Sequence, residues 1–164
     1  MDAKEIRLIK TYTQQTLTVN QNQFDKYMIT FKDTLPNTKD YWDLFQTTGW
    51  NDEYKFTQLD LENAIKNSWY SNSIYDSDKL IGFGRVITDG VHHAFIVDLI
   101  IHPDYQNQGF GSKLLDKLVT KCNNSKIKDI QLFAAKDKFE FYEKFGFEKR
   151  PINAPGMQMK EKWG

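Results

Sequence analysis

The stretch Tyr105-Gln106-Asn107-Gln108-Gly109-Phe110-Gly111-Ser112-Lys113-Leu114-Leu115 holds the residues best suited to chemistry. An apolar run, Ala94 to Ile101, leads into it, and Pro103 stops that run. An amphipathic run, Leu114, Leu115, Leu118, Val119 and Cys122, leads out. The order is strand, glycine turn, helix. Such a turn aims several backbone N–H groups at one point, and the positive end of the helix dipole adds attraction for an anion. Phosphate suits that environment, so the chain is expected to hold a phosphorylated cofactor. The dinucleotide fingerprint does not fit, because Leu114 stands where a third Gly or Ala is needed, and no stretch fits the P-loop. The competing reading is a turn that only packs a helix against a strand.

Other candidates are single residues. Asp98 interrupts Phe95-Ile96-Val97-Asp98-Leu99-Ile100-Ile101, and an acid in a buried strand is costly unless paired or functional. As a structural acid it would pair with Arg85 or a backbone donor, or cap a loop; Arg85 in turn reads as a strand-face salt bridge or as a ligand for a substrate carboxylate. His92 and His93 follow Asp89-Gly90 and read as surface residues; His102 reads as a loop residue. No two histidines show helical ligand spacing, and Cys122, the single cysteine, reads as a small buried hydrophobe. No metal is expected.

The elements that must position these groups fit one domain. The chain has 164 residues, 40% of them hydrophobic and 15% aromatic, enough for a core. Lys plus Arg and Asp plus Glu both number 22, which argues against a general nucleic-acid or membrane binder. A lone cysteine excludes an internal disulfide, and the start Met1-Asp2-Ala3-Lys4-Glu5 lacks a signal-peptide layout. No apolar run approaches the length of a membrane span. A cytoplasmic protein is expected.

Residues 1–26 are polar and β-leaning, an N-terminal extension of expected strands before a main domain over 27–164; the set Tyr27, Ile29, Phe31 is the most committed strand. Thr38 is placed to cap a helix carrying Tyr41, Trp42, Leu44 and Phe45 and ending near Gly49. A second helix runs from Leu59 to Trp69, capped by Thr57 or Asp60. Strands follow at Ser73–Tyr75 and Leu80–Thr88, and Asp89-Gly90 is a hairpin signal leading to the Ala94–Ile101 run. After the Gly109–Cys122 helix, Lys128–Ala134 alternates as a strand and Lys138–Phe145 is a short helix. Strands are expected again from Phe147 and at Gly156–Met159. The layout predicts an α/β (or α+β) single domain with a mixed sheet and a right-handed βαβ crossover.

The pattern Q-x-x-G-x-G, after an apolar strand and His102-Pro103-Asp104-Tyr105, resembles the pyrophosphate loop of the GCN5-related N-acetyltransferases. Phe141-Tyr142-Glu143-Lys144-Phe145-Gly146-Phe147 resembles that family's second signature, at a typical spacing and with a strand between. Thr48-Gly49-Trp50 further resembles a branch of small bacterial, aralkylamine-type acetyltransferases. The resemblance implies a central sheet of about seven strands, splayed near its middle and flanked by about four helices. It also implies that Gln106, Asn107, Gln108, Gly109, Phe110, Gly111 and Ser112 wrap the pyrophosphate of acetyl-CoA. Leu99, Ile100 and Ile101 would then pair their backbone with its pantetheine arm as if with an added strand. Lys113 is either a phosphate contact or a solvated residue. One position departs from the pattern: Ala135 stands where many members carry an Asn seven residues before the motif tyrosine. That contact is either lost or supplied elsewhere, with Lys136 and Lys138 as the candidates.

The activity so implied is transfer of an acetyl group from acetyl-CoA to a primary amine of a small molecule or amino acid, by direct attack in a ternary complex. A primary amine of pKa near 10 is less than about 1% neutral at pH 7, a cost of about 4 kcal/mol. Asp98 is the first candidate to accept its proton or anchor it, against a purely structural pairing. Tyr142 is the candidate acid for the departing thiolate, against a core tyrosine, and the backbone near Ile100 is a candidate oxyanion contact. Trp50, Tyr54 and Arg85 are candidate substrate contacts. Trp42 and Trp69 are expected in the core. The alternatives are a non-catalytic CoA-binding sensor, or a protein Lys or N-terminal acetyltransferase. The terminal strands are candidate surfaces for a homodimer.

Overall fold

The computed structural model describes residues 28–159; the expected strands of residues 1–26 lie outside them. An antiparallel meander makes up most of the sheet: β1 (Ile29–Lys32), β2 (Tyr70–Asp76), β3 (Lys79–Thr88) and β4 (His93–Ile101), in that spatial order. A fifth strand, β5 (Asp129–Leu132), runs parallel to β4 at the end of the sheet. The helix α4 (Phe110–Asn124) makes the crossover between β4 and β5. The α/β class and the mixed sheet are as expected.

Local chemistry explains the helices. Asn37, not Thr38, caps α1 (Thr38–Gln46), its side chain accepting from the Asp40 amide at 2.8 Å. Tyr41, Leu44 and Phe45, three and four residues apart, form the buried stripe of α1. Thr57 and Asp60 form a capping box at the start of α3 (Gln58–Lys66). That helix ends before Trp69, which is 39% exposed rather than in the core. A short helix, α2 (Asn51–Tyr54), occupies what reads in sequence as a loop.

The two faces of the sheet have separate cores. Tyr41, Leu44, Phe45, Leu61 and Ile65 from α1 and α3 pack with Tyr75, Leu80, Phe83 and Ile100, and Trp42 lies against them half-buried. Phe110 and Leu114 of α4 pack with Ile74 and Ile81, flanked by Leu99 and Ile101. Consecutive β4 residues thus serve opposite faces, as strand alternation requires.

Residues 133–159 belong to a second, smaller unit. It holds the short helix α5 (Phe139–Glu143) and a ring contact between Tyr142 and Phe147 (6.3 Å, 81°). Lys149 lies over the Phe139 ring at 3.5 Å. The strands expected from Phe147 and at Gly156–Met159 do not form, and β5 ends at Leu132 rather than Ala134. Five strands therefore stand among the described residues, not about seven. The tail after Gly146 carries Pro151 and Pro155, each without an amide proton to give a ladder.

Leu118 is fully buried under the sheet, its Cδ1 occupying the space a Cβ on Gly84 would need. Leu118→Ala should cost about 2–5 kcal/mol. Urea titration should show a lower midpoint at unchanged slope.

Candidate functional site

The site is built where β4 ends. The β4–β5 ladder comprises His93↔Asp129 to Ile96↔Leu132 and stops there. From Val97 to Ile101, β4 keeps β3 on one side but has no β5 partner among the described residues. An unpaired strand edge is a template for an extended guest. Leu99, Ile100 and Ile101, named from sequence, all lie on that segment.

A bulge accompanies the splay. Arg85 pairs with Val97 and Phe83 with Ile100, so two steps along β3 face three along β4. The additional residue is accommodated at Asp98, whose φ is +52°, an uncommon conformation for a side chain of this type. The Arg85 Nε donates to Asp98 Oδ2 at 2.5 Å, and the Tyr41 hydroxyl donates to the same oxygen at 3.0 Å. An Arg85 terminal nitrogen also donates to the Ala64 carbonyl of α3 at 3.1 Å. Side-chain exposures of 12% for Arg85 and 18% for Asp98 make this a largely buried pair. Burial, together with the charge of Asp98, pushes the Tyr41 hydroxyl far above the ordinary tyrosine range. Both acid and arginine therefore have structural tasks: they tie β3, β4, α1 and α3 together at the point where β4 parts from β5.

The loop after β4 is braced by its own side chains. The His102 amide donates to the Ile81 carbonyl at 2.8 Å. The His102 ring accepts from the Asp104 amide, capping the turn Pro103–Tyr105. Burial, helped by Lys79, holds the His102 imidazole below its usual range. The Tyr105 hydroxyl donates to Asp76 (2.9 Å), which also receives the Met28 amide (3.1 Å). The Gln106 amide group donates to the Ile101 carbonyl and that of Gln108 to the Asp104 carbonyl, both at 3.0 Å. Asn107 and Gly109 then take left-handed conformations, φ +59° and +84°. Gly109 is the N-cap of α4, with no side-chain cap and no acidic residue in the first helical turn. A helix start left open in this way fits a diphosphate. Gln106 and Gln108 brace the loop through their side chains; Asn107, Gly109, Phe110, Gly111 and Ser112 form the turn and the helix start.

The remaining candidates are distributed differently. Trp50 is 39% and Tyr54 55% exposed. Trp50 makes an edge contact with Phe45 at 5.8 Å, and Tyr54 stacks on Phe56 at 5.3 Å. Tyr142 is half-buried on α5, and burial raises its hydroxyl above the ordinary range. The Arg85–Tyr41–Asp98 cluster had only a partial sequence signal: Arg85 is a foreseeable partner, but Tyr41 reads simply as core.

Asp98→Ala should leave Arg85 buried without its partner and cost about 3–5 kcal/mol. Arg85→Met combined with Asp98→Ala should recover part of that loss. Chemical denaturation of the two variants checks this; equal losses would show that the pair is not what holds the bulge.

Among the described residues no helix is long and apolar enough to cross a membrane. The sequence matches the model of the Acetyltransferase (GNAT) family over residues 35–147. It is 34% identical over 142 residues to a Porphyra purpurea protein named "Uncharacterized N-acetyltransferase ycf52", covering 82% of this chain and 80% of that one. Plant relatives include "Histone acetyltransferase TAP1" of Glycine max, 34% identical over 59% of this chain and 47% of its own. Another is "Serotonin N-acetyltransferase 2, chloroplastic" of rice, 29% identical over 59% and 50%. The chain spans little more than half the length of other curated relatives it matches. A solved Staphylococcus aureus structure, SA2161, described as a probable acetyltransferase, superposes with a TM-score of 0.72 at 29% identity, covering 82% of this chain and all of that one. With the family match spanning more than two thirds of its length, the chain belongs to the GNAT acetyltransferase family.

Proposed function

We propose that this protein transfers an acetyl group from acetyl-CoA to the primary amine of a small molecule or amino acid, in a ternary complex. The observation that carries this reading is the continuous feature formed by the open β4 edge, the left-handed Gly109 and the uncapped start of α4. Together they offer backbone groups first to an extended amide-bearing arm and then to a diphosphate, the order in which those parts occur in coenzyme A. When bound, acetyl-CoA supplies the thioester carbonyl that the amine attacks.

The chain's own residues divide the remaining work. The turn from Asn107 to Ser112 binds the phosphates, and Gly109 is required twice over, for its φ and for close approach of the backbone. Leu99, Ile100 and Ile101 hold the arm, with the backbone near Ile100 as the oxyanion contact. Tyr142, in the second signature, is the candidate donor of a proton to the leaving sulfur; its hydroxyl is protonated at neutral pH as any tyrosine's is, and burial, which raises its pKa, makes it a weaker acid. Asp98 is the candidate acceptor for the amine proton, although its Oδ2 already receives Arg85 and Tyr41. The same ion pair makes Arg85 a positioning residue first and a carboxylate ligand second.

Exposed Trp50, Tyr54 and Phe56 support an apolar or aromatic amine, for which cation–π contact or stacking is available. The aralkylamine-type branch is thus the finer assignment proposed, and the rice relative's name agrees with it. The Glycine max relative's name favours a second reading, acetylation of a protein lysine. We also propose a cytoplasm-like reducing compartment, consistent with one buried free cysteine.

Gly109→Val should abolish acetyl-CoA binding in calorimetry while circular dichroism shows the fold intact; unchanged affinity would overturn the loop assignment. Tyr142→Phe should keep acetyl-CoA binding and lower turnover by about 10²–10⁴-fold, the usual contribution of a positioned acid. Thiol release measured across amines, amino acids and a histone peptide separates the two acceptor classes. No release with any of them, alongside intact acetyl-CoA binding, would leave the non-catalytic sensor as the better reading.

A further inference from the structure

We infer that His92, His93 and Asp129 form a binding site for one late first-row divalent transition-metal ion, with zinc as the reference case. The site lies at the opposite end of β4 from the phosphate turn. Eight residue steps separate His93 from Ile101, about 26 Å at the rise of an extended strand. The inference therefore does not rest on the acetyltransferase reading.

Adjacent residues in a regular strand point to opposite faces. His92 and His93 escape this because His92 precedes the strand, in the bend after Asp89-Gly90. Their rings stack with centroids 3.8 Å apart and planes 28° apart, so both imidazoles stand on one side. The parallel ladder brings the third donor: Asp129 is the register partner of His93, and its amide donates to the His92 carbonyl at 2.9 Å. One nitrogen from each ring and one Asp129 carboxylate oxygen all lie within 4.8 Å of one another.

The separations suit a small ion. Tetrahedral zinc with bonds of about 2.0–2.1 Å sets its donor atoms about 3.3 Å apart. His93 Nδ1 and Asp129 Oδ2 are already 3.2 Å apart. The one remaining donor, the exposed His92 ring, needs only side-chain rotation to join them. Two imidazoles and a carboxylate select zinc, nickel or copper over magnesium or calcium. With three protein donors, the remaining position is open to water or a further ligand.

The scaffold beneath the donors is rigid. The Asp89 carboxylate accepts the amides of Val91 (2.9 Å), His92 (2.8 Å) and His93 (3.1 Å). Gln131 donates to Asp129 Oδ2 at 2.5 Å, the kind of outer contact that orients a metal-binding carboxylate. An ion here joins the tip of the β3–β4 hairpin to the first residue of β5. It reinforces the end of the β4–β5 ladder that must stay closed while the other end opens.

The rival account is a plain hydrogen bond between His93 and Asp129 beside a stacked ring. It requires no affinity for metal. The two accounts separate in a titration of the tag-free full chain with zinc chloride, and with cobalt(II) read by its visible absorption. One equivalent should bind, and the melting temperature should rise with zinc and return on chelation. His92→Ala, His93→Ala and Asp129→Asn should each weaken zinc by at least the roughly 10–100-fold that loss of an outer-shell partner causes. Each variant should keep the parent's circular dichroism spectrum and its response to acetyl-CoA. A parent chain that binds neither ion, or a His92→Ala/His93→Ala double variant that binds zinc as tightly as the parent, overturns the assignment.

Discussion

The ion pair between Arg85 and Asp98 is the constraint on which the site depends. A regular antiparallel ladder between β3 and β4 would carry β4 on unbroken. One additional residue, held at φ +52°, changes its course at the point where pairing with β5 has just ended. An acid in that conformation is held there by a guanidinium and a phenol hydroxyl on one of its oxygens. Tyr41 belongs to α1 and the Ala64 carbonyl to α3. The helices that cover the sheet are thereby tied to the strand that must stay open.

The bulge also sets which side chains face which core. Ile100 enters the cluster under α1 and α3, whereas Leu99 and Ile101 flank the cluster under α4. Without the additional residue, alternation past Val97 would send all three to the opposite faces. The apolar cores and the open edge therefore specify the same register. Removing Asp98 is a change in packing as much as in charge.

Much of the fold was legible because its signals are local. The Asp89-Gly90 turn, the capping residue Thr57 and the glycine turn before α4 each act within a few residues, and each element appears close to its expected place. Longer-range chemistry is less legible. Asp98 stands out in an apolar run, but the run does not say that Tyr41, 57 residues away, shares its oxygen. Trp69 reads as core on a helical wheel, yet α3 ends at Lys66 and the residue turns out to be exposed. The strands expected from Phe147 and at Gly156–Met159 find no ladder among the described residues, since a strand needs tertiary pairing that a short segment does not specify.

His92 and His93 show the same limit in another form. Ligand spacing in sequence detects donors on one helix or one turn, and here the third donor arrives through the crossover. The register of a parallel ladder, His93 against Asp129, depends on the whole β4–α4–β5 connection and cannot be read from either strand. That connection also places the glycine turn, since α4 begins at the turn and delivers β5. One crossover thus closes the ladder at the histidine end and, among the described residues, leaves the β5 side of β4 without a partner at the glycine end. A parallel pair of only four registered residues has little ladder to hold it, so whatever secures its closed end bears on how far the open end can spread.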